Sequence, residues 1–188
     1  METPREGGAL KKPDYTSINA ELERIFALDG ATKFDAALRT SAAGEVFGQA
    51  LFRGLHTFAR NGEERRLWAA LTKIETVTLA HVITHMRKRM VPEPDREVFK
   101  REGYRVAALF EGTSLATYFE WLEPEAVKAV RFFESMLDMS ADPDDQELVR
   151  LLIKHEEAVV NCCDSVLSNG SITDACVALE SDFAINNR

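Results

Sequence analysis

Apolar residues recur at spacings of three and four along nearly the whole chain, and no sustained two-residue alternation appears. That period belongs to helices burying one face, whereas half-buried strands need alternation and runs of β-branched residues. The expected fold class is therefore all-α. Turn residues divide the pattern. A short helix is expected over 18–28, stopped by Asp29-Gly30, and a second short piece over 31–38. A longer helix over 41–60 is closed by Asn61-Gly62, with glycine suited to the left-handed position after a helix. The next runs from 63 to 90 and ends before Pro92 and Pro94, which forbid simple continuation. A further helix covers 96–111, ending near Gly112. Ser114 caps a segment to Trp121, and Pro124 fits the first turn of one reaching Asp138. The last long helix covers 145–167, closed by Asn169-Gly170, and Ser171 caps a final short helix to Phe183.

Four of these segments, 41–60, 63–90, 114–138 and 145–167, are long, amphipathic and joined by short loops, apart from one long connection. They predict an up-down helical bundle with additional short helices around it. The long connection carries the chain from one end of the bundle to the other. Residues 17–188 are read as one domain, and 1–16 as a mobile N-terminal tail without the apolar core of a secretory signal. The 188 residues suffice for a sizeable core. A net charge of −8 argues against nucleic acid as a partner, since a phosphate backbone calls for a dense positive surface. No apolar run approaches the ~20 residues that cross a bilayer, so no membrane span is expected. Cys162, Cys163 and Cys176 form no metal-binding or disulfide framework and read as reduced thiols, which points to a cytoplasmic location.

Projection at about 100° per residue identifies polar residues that share the apolar faces. In the last long helix the stripe is Leu148, Leu152, Val159, Cys163 and Val166. His155 and Glu156 flank it, and Glu157 falls in solvent. In the second core helix Glu75 lies within the stripe of Leu67, Leu71, Ile74, Thr78 and Val82. His85 shares that face and His81 sits at its edge. In the third, Glu134 lies within a stripe of Phe119, Ala126, Val130, Phe133 and Leu137. The first is apolar nearly all round, with Glu45 toward one side. A buried carboxylate is costly unless paired or bound to metal. Two solutions present themselves: cations such as Arg53 and Arg131 at the edges, or a bound metal. Carboxylates and imidazole suit iron and manganese, and bundle interiors are where such sites are built.

The segments "GEVFGQALFRGL" (44–55), "EERRLWAALTKIETVT" (63–78) and "LIKHEEAVV" (152–160) resemble the ferritin-like superfamily, most closely small bacterial ferritin-like proteins. The likeness covers about 41–167. It implies a ferritin-like bundle with metal ligands on four helices, and places Glu45, Glu75, Glu134, His155 and Glu156 on ligand helices. That family's di-metal members carry a Glu-x-x-His on two helices. Here Thr78 stands where a histidine would follow Glu75, and Leu152 where a glutamate would precede His155. The family further implies oxidase, hydroxylase or iron-storage chemistry, with iron or manganese and no organic cofactor.

Other patterns carry less. His81 and His85 form an i, i+4 pair but supply only two ligands where zinc needs more, and read as helix-surface histidines. His56 reads as a packing or surface residue. No Gly-x-Ser-x-Gly elbow and no Gly-rich phosphate loop is present. Two expectations for function follow. One is a ferritin-like protein whose carboxylate and histidine centre holds iron or manganese for redox chemistry on a small molecule. The other is a non-catalytic bundle acting through homo-oligomerisation, as a dimer burying the apolar first helix, or through a partner.

Overall fold

The structure is a computed structural model describing residues 14–26, 34–169 and 171–182. Among these residues there are helices and no strands: α1 (Tyr15–Phe26), α2 (Phe34–Phe58), α3 (Gly62–Lys88), α4 (Arg96–Leu109), α5 (Leu115–Met136), α6 (Pro143–Asn169) and α7 (Ile172–Asp182), with a 3-10 turn at Leu137–Met139. The all-α expectation holds. No described helix is long and apolar enough to cross a membrane. Of the expected tail, residues 1–13 lie outside the described residues. Tyr15 and Thr16 already belong to α1, which Tyr15 pins by donating its hydroxyl to the Thr117 carbonyl at 2.8 Å.

Three boundaries differ from the expectation. Residues 34–38 are the first turns of α2 rather than a separate piece. Pro124 sits inside a continuous α5 instead of opening a new helix, so 115–136 is one rod. Asn61 starts a helix rather than closing one. Its side chain accepts from the Glu64 amide at 2.8 Å, and the Glu64 carboxylate reaches back to the Arg60 amide at 2.8 Å. The Glu64 amide is otherwise orphaned at a helix N-terminus, and the Arg60 amide lies just before the cap. Ser114 does cap α5, accepting from the Thr117 amide at 3.0 Å.

Contacts fix the directions of the long helices. Trp68 near the start of α3 stacks on Phe119 near the start of α5, with ring centroids 5.7 Å apart. At the opposite end, Ser41 near the start of α2 meets Met136 at the end of α5, and His85 near the end of α3 meets Asp145 at the start of α6. So α2 and α6 run one way, and α3 and α5 the other. The chain therefore crosses the length of the bundle between α3 and α5, and α4 makes that crossing. It runs alongside α2 at close range: a Cβ on Gly103 would stand 2.5 Å from the Phe47 carbonyl oxygen, and one on Gly54 would stand 2.5 Å from Ala107 Cβ. With α3 on one side and α4 on the other, the apolar surface of α2 is buried within its own chain.

The core has two apolar parts. One gathers Leu51, Leu67, Trp68, Phe119 and Val159 toward the start of α3. The other gathers Leu38, Val82, Met86, Met136 and Leu152 toward its end. Between them, at one level of the bundle, lie buried Glu45, Glu75, Thr78 and His155.

Candidate metal centre

The polar layer is assembled from three helices. On α2, Glu45 is 2% exposed; on α3, Glu75 is 7% exposed; on α6, His155 is 1% exposed. Helical spacing produces this burial. Glu75 follows Ile74 and precedes Thr78 on the face that carries Leu67 and Leu71, and His155 lies one turn from both Leu152 and Val159.

The two ring nitrogens of His155 face two different acids. Nδ1 lies 3.5 Å from Glu45 Oε1, and Nε2 lies 3.5 Å from Glu75 Oε1. Glu156 joins from the same helix. One ligand atom each from Glu45, His155 and Glu156 fall within 4.8 Å of one another. Glu156 is half-buried as a residue, but its carboxyl end lies deep in the bundle.

The electrostatics follow from burial and crowding. Burial raises the Glu75 carboxyl well above the usual range; His155 pulls it down, and Glu45 and Glu156 push it up again. Burial pushes Glu156 to about 7, opposed by His155 and assisted by Glu45. Burial disfavours a charged His155, yet the carboxylates of Glu45 and Glu75 outweigh it, so the ring binds its proton well above the ordinary histidine range. The layer is a store of protons shared among groups from separate helices.

One glycine makes room for it. A Cβ on Gly48 would stand 2.6 Å from Glu75 Cδ, so the Glu75 carboxylate occupies the place of a side chain at position 48. A glycine three residues after Glu45, and so on the same helix face, is the sequence signal that could have located this gap.

Not every expected residue arrives. Glu134 is exposed and lines a groove on the outer side of α5 and α6 with Arg131 and Glu157. The buried face of α5 runs through Phe119, Leu122, Ala126, Phe133 and Met136. Glu134 follows Phe133 by one residue and so points about 100° away from that face. Arg53 and Arg131 are also exposed and bring no cation to the layer. Glu157 lies in solvent as expected, as does His56. His81 is exposed, but His85 is a buried structural residue rather than a surface one. Its Nε2 lies 2.6 Å from Asp145 Oδ1, and Asp145 Oδ2 accepts from Arg89 at 2.9 Å. Thr78 and Leu152, the two positions that depart from the Glu-x-x-His pattern, are both fully buried, and Leu152 packs in the apolar core.

At the level of the polar layer α5 contributes small residues, Ala126 and Ala129, in place of a ligand. The space left between α2 and α5 is a cavity of about 260 Å³ whose walls include Glu45, Glu75 and Glu156.

No family model, no curated protein and no solved structure matches the chain.

Proposed function

We propose that the chain is a ferritin-like protein whose bundle interior holds one divalent iron or manganese ion for redox chemistry. The connectivity supports the fold: two antiparallel pairs, α2 with α3 and α5 with α6, joined by a lengthwise crossing. The donor set supports the metal. Two carboxylates and an imidazole nitrogen suit iron and manganese, and the three clustered residues include no thiolate.

The observation that carries the reading is the convergence of one ligand atom each from Glu45, His155 and Glu156 within 4.8 Å of one another. Glu45 Oε2 is moreover buried with no hydrogen-bond partner among the described residues. Buried polar atoms are rarely left so, and a cation satisfies one.

In this reading Glu45, Glu156 and His155 Nδ1 hold the ion. Glu75 accepts the proton on Nε2, which fixes the ring's tautomer and orientation, as partners of metal-bound histidines do. A bound ion would supply one-electron chemistry. The chain's own part is to hold the ligands between the two apolar cores and to release protons from Glu156 and His155 when the ion enters. The test is anaerobic titration of chelator-treated protein with Fe(II) or Mn(II). Near-stoichiometric binding with a raised melting temperature supports the reading, and absence of saturable binding refutes it.

A second reading rests on His155 lying between two carboxylates. A protonated His155 shared by Glu45 and Glu75 is a metal-free ion cluster, in a bundle that acts by association with a second copy or a partner. Sedimentation velocity of chelator-treated protein tests it: this reading requires a dimer that persists without metal.

A further inference from the structure

The cavity between α2 and α5 has a composition that a metal centre alone does not require. Five aromatic side chains line it: Phe47, Phe52, Trp121, Phe132 and Phe133. Glu45, Glu75 and Glu156 stand on the wall formed by α2, α3 and α6. Thr40, Glu125 and Lys128 also line it, and Lys128 is exposed, so the space opens toward solvent on that side. An apolar cavity of about 150 Å³ stays dry and accepts benzene. At about 260 Å³ this one has room for a ring with a substituent or for two fused rings.

We propose that this cavity binds a small aromatic molecule of one or two rings that carries a single hydrogen-bond donor, directed at the acidic wall of Glu45, Glu75 and Glu156. Aromatic walls favour a ring, which packs edge-on and offset against them. The carboxyl groups on the α2, α3 and α6 wall are acceptors, so a ligand with a donor toward them gains a bond that an unsubstituted ring does not. Pockets of this kind, apolar with a few convergent polar groups, hold small organic ligands. The inference shares its acids with the proposed metal centre and names what that centre would act upon. The cavity itself is a property of the metal-free fold.

Gly44 supplies a clean test. It lines the cavity, and a Cβ added there meets nothing within 4 Å. Gly44→Leu therefore fills the space while improving helix propensity. Isothermal titration of chelator-treated protein with indole is expected to show one saturable site. Binding of 1-methylindole, which lacks the donor, is expected to be about tenfold weaker, the equivalent of one lost hydrogen bond. Gly44→Leu should abolish binding without lowering the melting temperature, and Ala129→Leu should weaken it. No saturable heat with either probe, or unchanged binding in Gly44→Leu, overturns the proposal. Equal affinity for both probes overturns the role of the acidic wall. The two proposals fail separately. Indole binding to protein that takes up no Fe(II) or Mn(II) on titration sinks the metal centre alone, and metal uptake with no indole site sinks the cavity alone.

Discussion

The carboxylate of Glu75 fits against the bare backbone of Gly48, with 2.6 Å between Glu75 Cδ and the point where a Cβ would stand. Position 48 therefore controls where Glu75 points. Gly48→Ala should swing Glu75 away from His155 Nε2. Overpacking of a buried site costs about 1–3 kcal/mol, against at most ~1 kcal/mol gained from helix propensity. Gly44→Ala, on the same helix with open space before it, should stabilise by ~0.5–1 kcal/mol. Urea unfolding of the two variants should thus move in opposite directions.

The proton store predicts a pH profile. Glu75 and Glu156 are raised in the folded state, as is His155. A folded chain that holds protons more tightly than the unfolded chain loses stability as pH rises. For Glu156 that window runs from the unfolded value of about 4.5 to about 7 in the folded protein, and for His155 it begins near 6.5 and extends upward. Metal-free protein should accordingly lose stability from pH 5 to pH 8, with a slope of up to ~1.4 kcal/mol per pH unit for each group inside its window. Glu156→Gln should flatten the acidic part of the slope in urea unfolding at several pH values.

At the far end of the bundle the opposite sign holds. Burial disfavours a charged Asp145, but hydrogen bonds from Ser140 and His85 and the Arg89 charge outweigh it and lower its carboxyl pKa. Its contribution is present above the unfolded value and lost as pH falls through the lowered one. Asp145→Ala leaves buried His85 without its partner and should cost about 3–5 kcal/mol. Asp35, which accepts from Arg89 Nε at 2.8 Å but is about half exposed, should cost under ~1 kcal/mol when replaced by Ala. Thermal unfolding of the two variants at neutral pH checks the contrast.

The legible parts of the site were those with unambiguous helical stripes. Leu67, Leu71 and Ile74 fix the inner face of α3, and Leu148, Leu152 and Val159 that of α6, so Glu75 and His155 could be placed inward from spacing alone. On α5 the choice of Val130 and Leu137 as anchors rotated the face toward Glu134. Phe119, Ala126 and Phe133 are buried as expected, but Leu122 and Met136 complete the face in place of Val130 and Leu137. The crossing that α4 makes was legible from the long connection, but its close packing on α2 was hidden because that contact is made through Gly103 and Gly54, which carry no apolar signal. Asn61-Gly62 is as compatible with a helix end as with a helix start, and only the bond from the Glu64 amide decides between them.

Glu134 now serves as a control. It is exposed and remote from the polar layer in its helical phase, so Glu134→Gln should change stability by less than ~0.5 kcal/mol and leave metal retention intact. Thermal unfolding and metal content of the purified variant check both.

The metal content of protein reconstituted with Mn(II) and then desalted, determined by inductively coupled plasma mass spectrometry, bears on the centre itself. Wild type and Glu134→Gln should retain close to one ion per chain. Glu45→Gln and His155→Ala should retain at least tenfold less while keeping their helical circular dichroism, since a lost ligand removes at least about 1.4 kcal/mol of binding. Equal retention in all four proteins, or none in the wild type, would contradict a metal held by Glu45, His155 and Glu156.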